Sequence, residues 1–347
     1  MSFTTPNARR KGRASLALVA VAGLVAGLTA GAAAQSPSAA PAASLPAVEP
    51  GTFQMGTEPW IGYGPWWIAD QKGLFAQNGV QAQITNFNTD ADINAALVSG
   101  QINGANIATH TALRLASEGT PITIVLLLDQ SNAADAIVAG KDITSIADLK
   151  GKQVAYEEGT TSDILLRYAL SQNGMTMDDI TPVLMGASEA GVAVTAGQVP
   201  AAVTYEPYIT SALAANTNLQ LLYKAAEKPG LIGDVFVVTN DYLAAHPGQV
   251  DALIKSWGDA MTSYTADPAA GQAIIEKAVG ADAGSLKTAF DGVQLYDLQA
   301  AKDLMTGGAY GATLKEVKDI ALAAGIMKTD VDETKLVDTS YISALVP

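Results

Sequence analysis

From Gly51 onward the chain alternates two kinds of apolar pattern. Short runs rich in β-branched and aliphatic residues occur at Thr52–Gly56, Gln81–Asn86, Ile102–Ile107, Ile122–Leu128 and Ala136–Ala139, and again at Gln153–Tyr156, Thr181–Leu184, Ala201–Tyr205, Leu219–Leu222 and Val235–Thr239. These runs read as strands. Between them apolar residues recur at helical spacing. Asp92–Ser99 places Ile93, Ala96 and Leu97 on one face, and Ser162–Asn173 gathers Leu165, Leu166 and Leu170 before Gly174. The alternation predicts mainly parallel sheets with helices on both faces. After Thr239 the signal turns helical, at Asp241–Ala245, Pro247–Thr265, Pro268–Val279, Ser285–Asp291, Leu298–Thr306 and Leu314–Ala324. Two α/β halves followed by a helical tail predict a bilobed α/β protein whose last helices return to cover the first half.

The first 50 residues carry a different pattern. Arg9, Arg10, Lys11 and Arg13 precede an apolar run of 16 residues, Ser15–Ala30. A membrane helix needs about 20, so a retained anchor is the weaker reading. Ala32-Ala33-Ala34 fits a small-x-small cleavage site. Residues 1–34 therefore read as a signal peptide cleaved near Ala34, which predicts export to the periplasm. No cysteine follows the run, which excludes a lipid anchor. Residues 35–50, rich in Ala, Pro and Ser with Glu49 as the one charge, read as a flexible linker.

Removing the leader takes the formal charge from −14 to −18, because its four charged residues are all basic. So acidic a chain is not built for nucleic acid or anionic lipid. With no cysteine there is no disulfide, thiol nucleophile or thiolate metal site. At 49% hydrophobic composition the chain can bury two sizeable cores.

Polar chemistry gathers just after the strands. Three of the four tryptophans fall in Trp60-Ile61-Gly62-Tyr63-Gly64-Pro65-Trp66-Trp67, where Pro65 suits a first helical position. Large aromatics at a strand-to-helix turn, with glycines that let the backbone come close, mark a small-molecule cleft. Trp60, Gly62, Tyr63 and Trp66 are its candidates; Trp67, next to Ile68, reads equally as core. Four more turns share the property: Thr109-His110-Thr111, Asp129–Asp135 with Asn132, Glu157–Asp163 with Thr160 and Thr161, and Tyr205-Glu206-Pro207-Tyr208. Ligand crevices of open α/β sheets lie outside the carboxyl ends of strands, so these turns can converge. Gly159-Thr160-Thr161-Ser162 is either an ordinary helix cap or a cap that also holds an anionic or carbonyl oxygen.

The acids of these turns, Asp129, Asp135, Glu157, Glu158 and Glu206, have no Lys or Arg among them. Carboxylates beside tryptophan favour a cationic group, although each acid alone can be a cap or a solvated residue. Enzyme signatures are thin. His110 and His246 are the two histidines, and neither a metal-ligand spacing, a P-loop nor a Gly-x-Ser-x-Gly elbow is present. No cofactor or metal is expected, and no catalytic residue is assigned. The alternative is a lyase or pyrimidine-synthase-like enzyme on the same scaffold, using His110.

The order of features resembles the periplasmic substrate-binding proteins of ABC importers for nitrate, sulfonates and taurine. The carriers are the Trp60–Ala69 segment, Lys72-Gly-Leu-Phe with Asn78-Gly-Val, Ala95-Ala-Leu-Val-Ser-Gly-Gln-Ile, Ile146-Ala-Asp-Leu-Lys-Gly-Lys, Glu158-Gly-Thr-Thr-Ser and Ala202-Val-Thr-Tyr-Glu-Pro-Tyr. The resemblance spans about Gly51 to Leu345. It implies the type II bilobed fold, with residues 51–139 plus 238–347 as lobe 1 and 140–237 as lobe 2. It also implies a monomer that captures a small molecule and docks on an inner-membrane ABC permease. By position, contacts would come from Gly62–Tyr63, Thr109–His110, Asp129–Asn132, Thr160–Thr161, Tyr205–Glu206 and Asp234. The cysteine-dependent enzymes of the same broad family are disfavoured by a chain without cysteine. The leading expectation is capture without chemistry, of a zwitterionic or aminated solute ahead of a simple sulfonate.

Overall fold

The structure, a computed structural model, describes residues 45–346. The expected leader and most of the expected linker lie outside the described residues. In chain order the first elements are β1 (Thr52–Thr57), α1 (Gly64–Gln71), α2 (Leu74–Gln77), β2 (Gln81–Asn86), α3 (Asp90–Val98), β3 (Gly104–Ala108), α4 (Thr109–Ser117) and β4 (Ile122–Ser131). Next come β5 (Asp135–Gly140), β6 (Gln153–Tyr156), α5 (Thr161–Gln172), β7 (Thr181–Leu184), α6 (Ala187–Thr195), β8 (Ala201–Tyr205), α7 (Tyr208–Ala215) and β9 (Leu219–Lys224). Then follow β10 (Gly233–Thr239), α8 (Asn240–Ala245), α9 (Pro247–Ala266), α10 (Pro268–Ala278), β11 (Val293–Leu295), α11 (Leu298–Thr306), α12 (Ala309–Ala323) and α13 (Ser340–Leu345).

The strands form a six-stranded sheet, β11-β4-β10-β3-β1-β2, and a five-stranded sheet, β7-β6-β8-β5-β9. Both are mixed, where mainly parallel sheets were expected. β1 runs parallel to β2 and β3, but β10 is antiparallel to β3 and β4. β6 runs parallel to β7 and β8, while β5 is antiparallel to β8 and β9. The cause lies in two direct crossings between the sheets. β4 passes into β5 through residues 132–134, and β9 passes into β10 through residues 225–232. Neither crossing contains the long helical return that restores strand direction within one sheet.

The crossings also move the expected boundaries. β5 pairs in the second sheet and β10 in the first, so the division falls at 132–134 and 225–232, rather than at 139/140 and 237/238. The helical tail does return to the first half: α9 and α10 pack on α1, and α12 packs on α4. The expected helix Ser285–Asp291 is a turn ending in a 3-10 helix, Ala289–Gly292, which feeds the short edge strand β11. Three residues of strand are too few to leave a readable alternation.

Trp66 belongs to the core and not to the cleft. It is 0% exposed. Its ring centroid lies 5.0 Å from that of Trp257, 5.1 Å from Phe236 and 6.3 Å from Phe75. Pro65 starts α1 so that Trp66 and Trp67 face inward, towards the returning tail. Nor is the end of the expected linker free. The Glu49 carboxylate accepts from the Gly248 and Gln249 backbone N–H groups at 3.2 and 3.0 Å, at the start of α9. A carboxylate there complements the helix dipole.

Because Trp66 joins helices far apart in sequence, Trp66→Ala should cost about 3–5 kcal/mol of stability, as expected for a buried aromatic. Chemical denaturation checks this; a loss below about 1 kcal/mol would place the ring outside the core.

Candidate functional site

The end of β1 builds one wall of a pocket between the two sheets. After Thr57 the chain tightens: the Trp60 N–H donates to the Glu58 carbonyl at 2.7 Å, and the Tyr63 N–H to the Trp60 carbonyl at 3.1 Å. The resulting 3-10 turn, Ile61–Tyr63, aims Glu58, Trp60 and Tyr63 at the same space. Gly62 is required there. A Cβ at this position would overlap the Trp60 Nε1 and the Asp129 carboxylate.

The first half adds Asp90 from the first turn of α3, Ala108 from the end of β3 and Asp234 from β10. The second half faces them with Asp135 from β5, Thr161 from α5 and Tyr205 from β8. The cavity they line is about 20 Å³, room for a water-sized group. Trp60 meets Tyr205 edge to face across it, with centroids 5.8 Å apart at 89°. The Tyr63 hydroxyl donates to Asp234 Oδ1 at 3.3 Å, and Trp60 Nε1 donates to Asp129 Oδ2 at 3.4 Å.

Four carboxyl groups, Glu58, Asp90, Asp135 and Asp234, line this space, with no Lys or Arg among the lining residues. Glu58 Oε1 and Asp135 Oδ2 are buried without a hydrogen-bond partner. Burial raises all four pKa values. Neighbouring carboxylates push Glu58, Asp90 and Asp234 further in the same direction. Asp135 rises to about 7, chiefly through burial, with the nearby Asp234 carboxyl adding to it. Arg114 on α4 pulls Asp90 down, but its guanidinium is held by Glu118 at 3.2 Å.

Trp60, Tyr63, Thr161, Tyr205 and Asp234 thus stand in the pocket, with Gly62 packed under the turn. Other expected site residues lie elsewhere. Asp129 sits behind Trp60 and faces a second cavity of about 50 Å³ together with Thr109 and Tyr310; the Thr109 and Tyr310 hydroxyl oxygens are 3.5 Å apart. His110 is fully buried against the backbone of Gly159 and Thr160, and burial with the nearby Arg114 lowers its pKa to about 3. Thr160 caps α5, accepting from the Ser162 N–H at 3.2 Å and donating to the Glu157 carbonyl at 2.9 Å. Asn132 accepts from Gln130 at 3.0 Å, outside the pocket. Glu206 accepts from the Thr210 N–H and hydroxyl, each at 3.0 Å, at the start of α7. These polar side chains satisfy nearby backbone and neighbours in this structure.

Sequence reasoning missed Glu58 and Asp90 as site residues. Glu58 follows a strand and precedes the tryptophan turn, so the rule that found the other turns applied to it. Asp90 is two residues before the expected helix start, and the shift hid it. Glu157 has a different task. Its carboxylate accepts from the Asp90 N–H at 3.1 Å and the Ala187 N–H at 3.2 Å, tying the first turns of α3 and α6 across the two halves.

Two mixed α/β halves, crossed twice by the chain and meeting over a polar and aromatic pocket, define the bilobed periplasmic-binding-protein fold. The chain belongs to the NMT1/THI5-like family, whose model matches residues 60–271. It is 28% identical over 283 residues to a chain of Brucella abortus (strain 2308) named as a candidate binding protein, covering 80% of this chain and 86% of that one. It is 27% identical over 202 residues to the taurine-binding periplasmic protein of Escherichia coli K12, covering 58% and 63%. Among solved structures, the alkanesulfonate-binding protein SsuA from Xanthomonas axonopodis pv. citri, bound to MOPS, superposes with a TM-score of 0.71 at 21% identity, over 85% of this chain and all of that one.

The buried acids set a pH dependence. Their folded-state pKa values lie above the unfolded values near 4. Their contribution to stability is therefore complete below about pH 4 and lost as the pH rises through the folded values, about 7 for Asp135. The solute-free protein should melt at lower temperature at pH 8 than at pH 5.5. Asp135→Asn should recover about 1–2 kcal/mol at pH 8. A wild-type melting temperature that rises across this window would contradict the buried-acid account.

Proposed function

We propose that the chain is the solute-capturing component of an ABC importer in the bacterial periplasm, and that its solute is a small amine, amidine or zwitterion. The family and the relatives support the transport role. The observation that carries the charge of the solute is the lining itself: four buried carboxyl groups, Trp60, two tyrosines and no basic side chain. A cation would pair with the carboxylates and lie against the electron-rich faces of the rings. The first turn of α5, presenting Thr161, suits an anionic or carbonyl oxygen at the solute's other end.

A simple sulfonate or nitrate would meet unpaired carboxylates at close range, and like charges so placed cost several kcal/mol. The alternative of an enzyme using His110 has less support. A ring with a pKa of about 3, buried away from the pocket, is a poor general base at neutral pH. In the capture reading the two halves rotate about the crossings at 132–134 and 225–232, and closure excludes water from the pocket.

Calorimetry across small amines, zwitterions, alkyl sulfonates and nitrate tests the reading. An amine or zwitterion should bind most tightly, and Glu58→Gln should weaken it at least about tenfold, or about 1.4 kcal/mol. Tighter binding of nitrate or a plain sulfonate would overturn the charge assignment. Conversion of the solute to a product would overturn capture without chemistry.

A further inference from the structure

The Asp129 and Asp234 carboxyl groups are a pair. They face each other in register on the neighbouring antiparallel strands β4 and β10, 0% and 3% exposed, and the Asp129 charge helps hold the Asp234 pKa up. Each receives one long hydrogen bond from a neutral donor, Trp60 Nε1 to Asp129 at 3.4 Å and Tyr63 hydroxyl to Asp234 at 3.3 Å. Asp129 Oδ1 is buried with no donor aimed at it. Two adjacent carboxylates cannot both stay ionised in such a place without a cation. One proton between them removes one charge and gives the unpartnered oxygen a partner.

We propose that Asp129 and Asp234 share a single proton when no solute is bound, and that capture of a cation expels that proton. The proposal rests on the cationic reading of the pocket. Asp234 faces the solute pocket and Asp129 faces the second cavity, of about 50 Å³. The pair therefore stands between the two spaces. When a cation settles against Asp234, the shared O–H bond breaks heterolytically. Its electron pair stays on the carboxylate and the proton passes to water on the Asp129 side, a cavity large enough to hold water. The charge of the site is unchanged by the exchange.

The groups facing the pair are Glu58 and Tyr63 after β1, Asp90 on α3, Asp135 on β5, Tyr205 on β8, Tyr296 beside β11 and Tyr310 on α12, with Arg114 reaching Asp90 from α4. The tyrosine hydroxyls are held above their ordinary range by burial and stay protonated. Glu58, Asp90 and Asp135 titrate as well, so the test must isolate the pair.

Carboxyl carbon shifts of 13C-labelled aspartate, assigned with Asp129→Asn and Asp234→Asn, do so in the solute-free protein. Both carbons should report the same two steps, the upper one far above ordinary aspartate; in either variant the survivor should show one step. Independent single steps below about pH 5 for both residues would overturn the shared proton. Methylammonium chloride then probes the coupling. Its affinity should rise about tenfold per pH unit for each linked proton in the neutral range. Calorimetry in buffers of different ionisation enthalpy should show Asp129→Asn releasing about one proton fewer per cation. Equal release from wild type and variant would overturn the expulsion step. Failure of methylammonium to bind at all would overturn the cationic reading, while the carbon titration would still decide the shared proton.

Discussion

Burying several carboxyl groups in one space without a basic side chain works against folding, and the architecture around the pocket can be understood as what tolerates it. Isolated buried carboxylates cost far more than a neutral pair or a protonated acid. Two well-packed sheets supply the compensation. A continuous apolar cluster runs from Phe53 and Trp66 under the first sheet to Leu165 and Leu170 beside the second, and a smaller cluster around Val138, Ala155 and Ala202 closes the far side. The acids sit where the two sheets meet and not inside either cluster. Their repulsion therefore bears on the junction, which is the part of the fold a bound cation would reinforce.

The same placement explains why glycine recurs at the wall. Gly62 lets the tryptophan turn press against Asp129, and that approach aims Trp60 at Tyr205 across the pocket. Trp60 and Trp66 are six positions apart, yet one faces the junction and the other the core. The reversal is produced by the 3-10 turn and by Pro65 starting α1. A side chain in the irregular turn is free to point outward from its sheet, while one inside the helix obeys the apolar face.

Much of this was readable from the chain. Ten strands were legible because their apolar runs are bounded by glycine, proline or capping residues, and the tryptophan turn was legible from its composition. What stayed hidden depended on contacts distant in sequence. The antiparallel entry of β5 and β10 follows from two crossings that periodicity does not encode. Trp66 is core only because Phe236 and Trp257 come to it. Glu206, Asn132 and Thr160 looked like site residues because polar side chains after a strand serve helix caps and solutes equally well. Asp90 was concealed by a two-residue shift in a helix start. Glu58 follows a strand as the other acids do, and its signal is overshadowed by the three tryptophans beside it.

Some of the ties across the junction are single polar contacts. Glu157 joins the starts of α3 and α6, and Arg167 donates to the Ala324 carbonyl at 3.2 Å. Each of these polar contacts can be exchanged for water at a net cost of only about 1 kcal/mol. In the capture reading, ties this weak leave the balance between shut and parted forms to whatever occupies the junction. In the capture reading, occupancy would be written into the outline of the molecule, legible at its surface without contact with the solute.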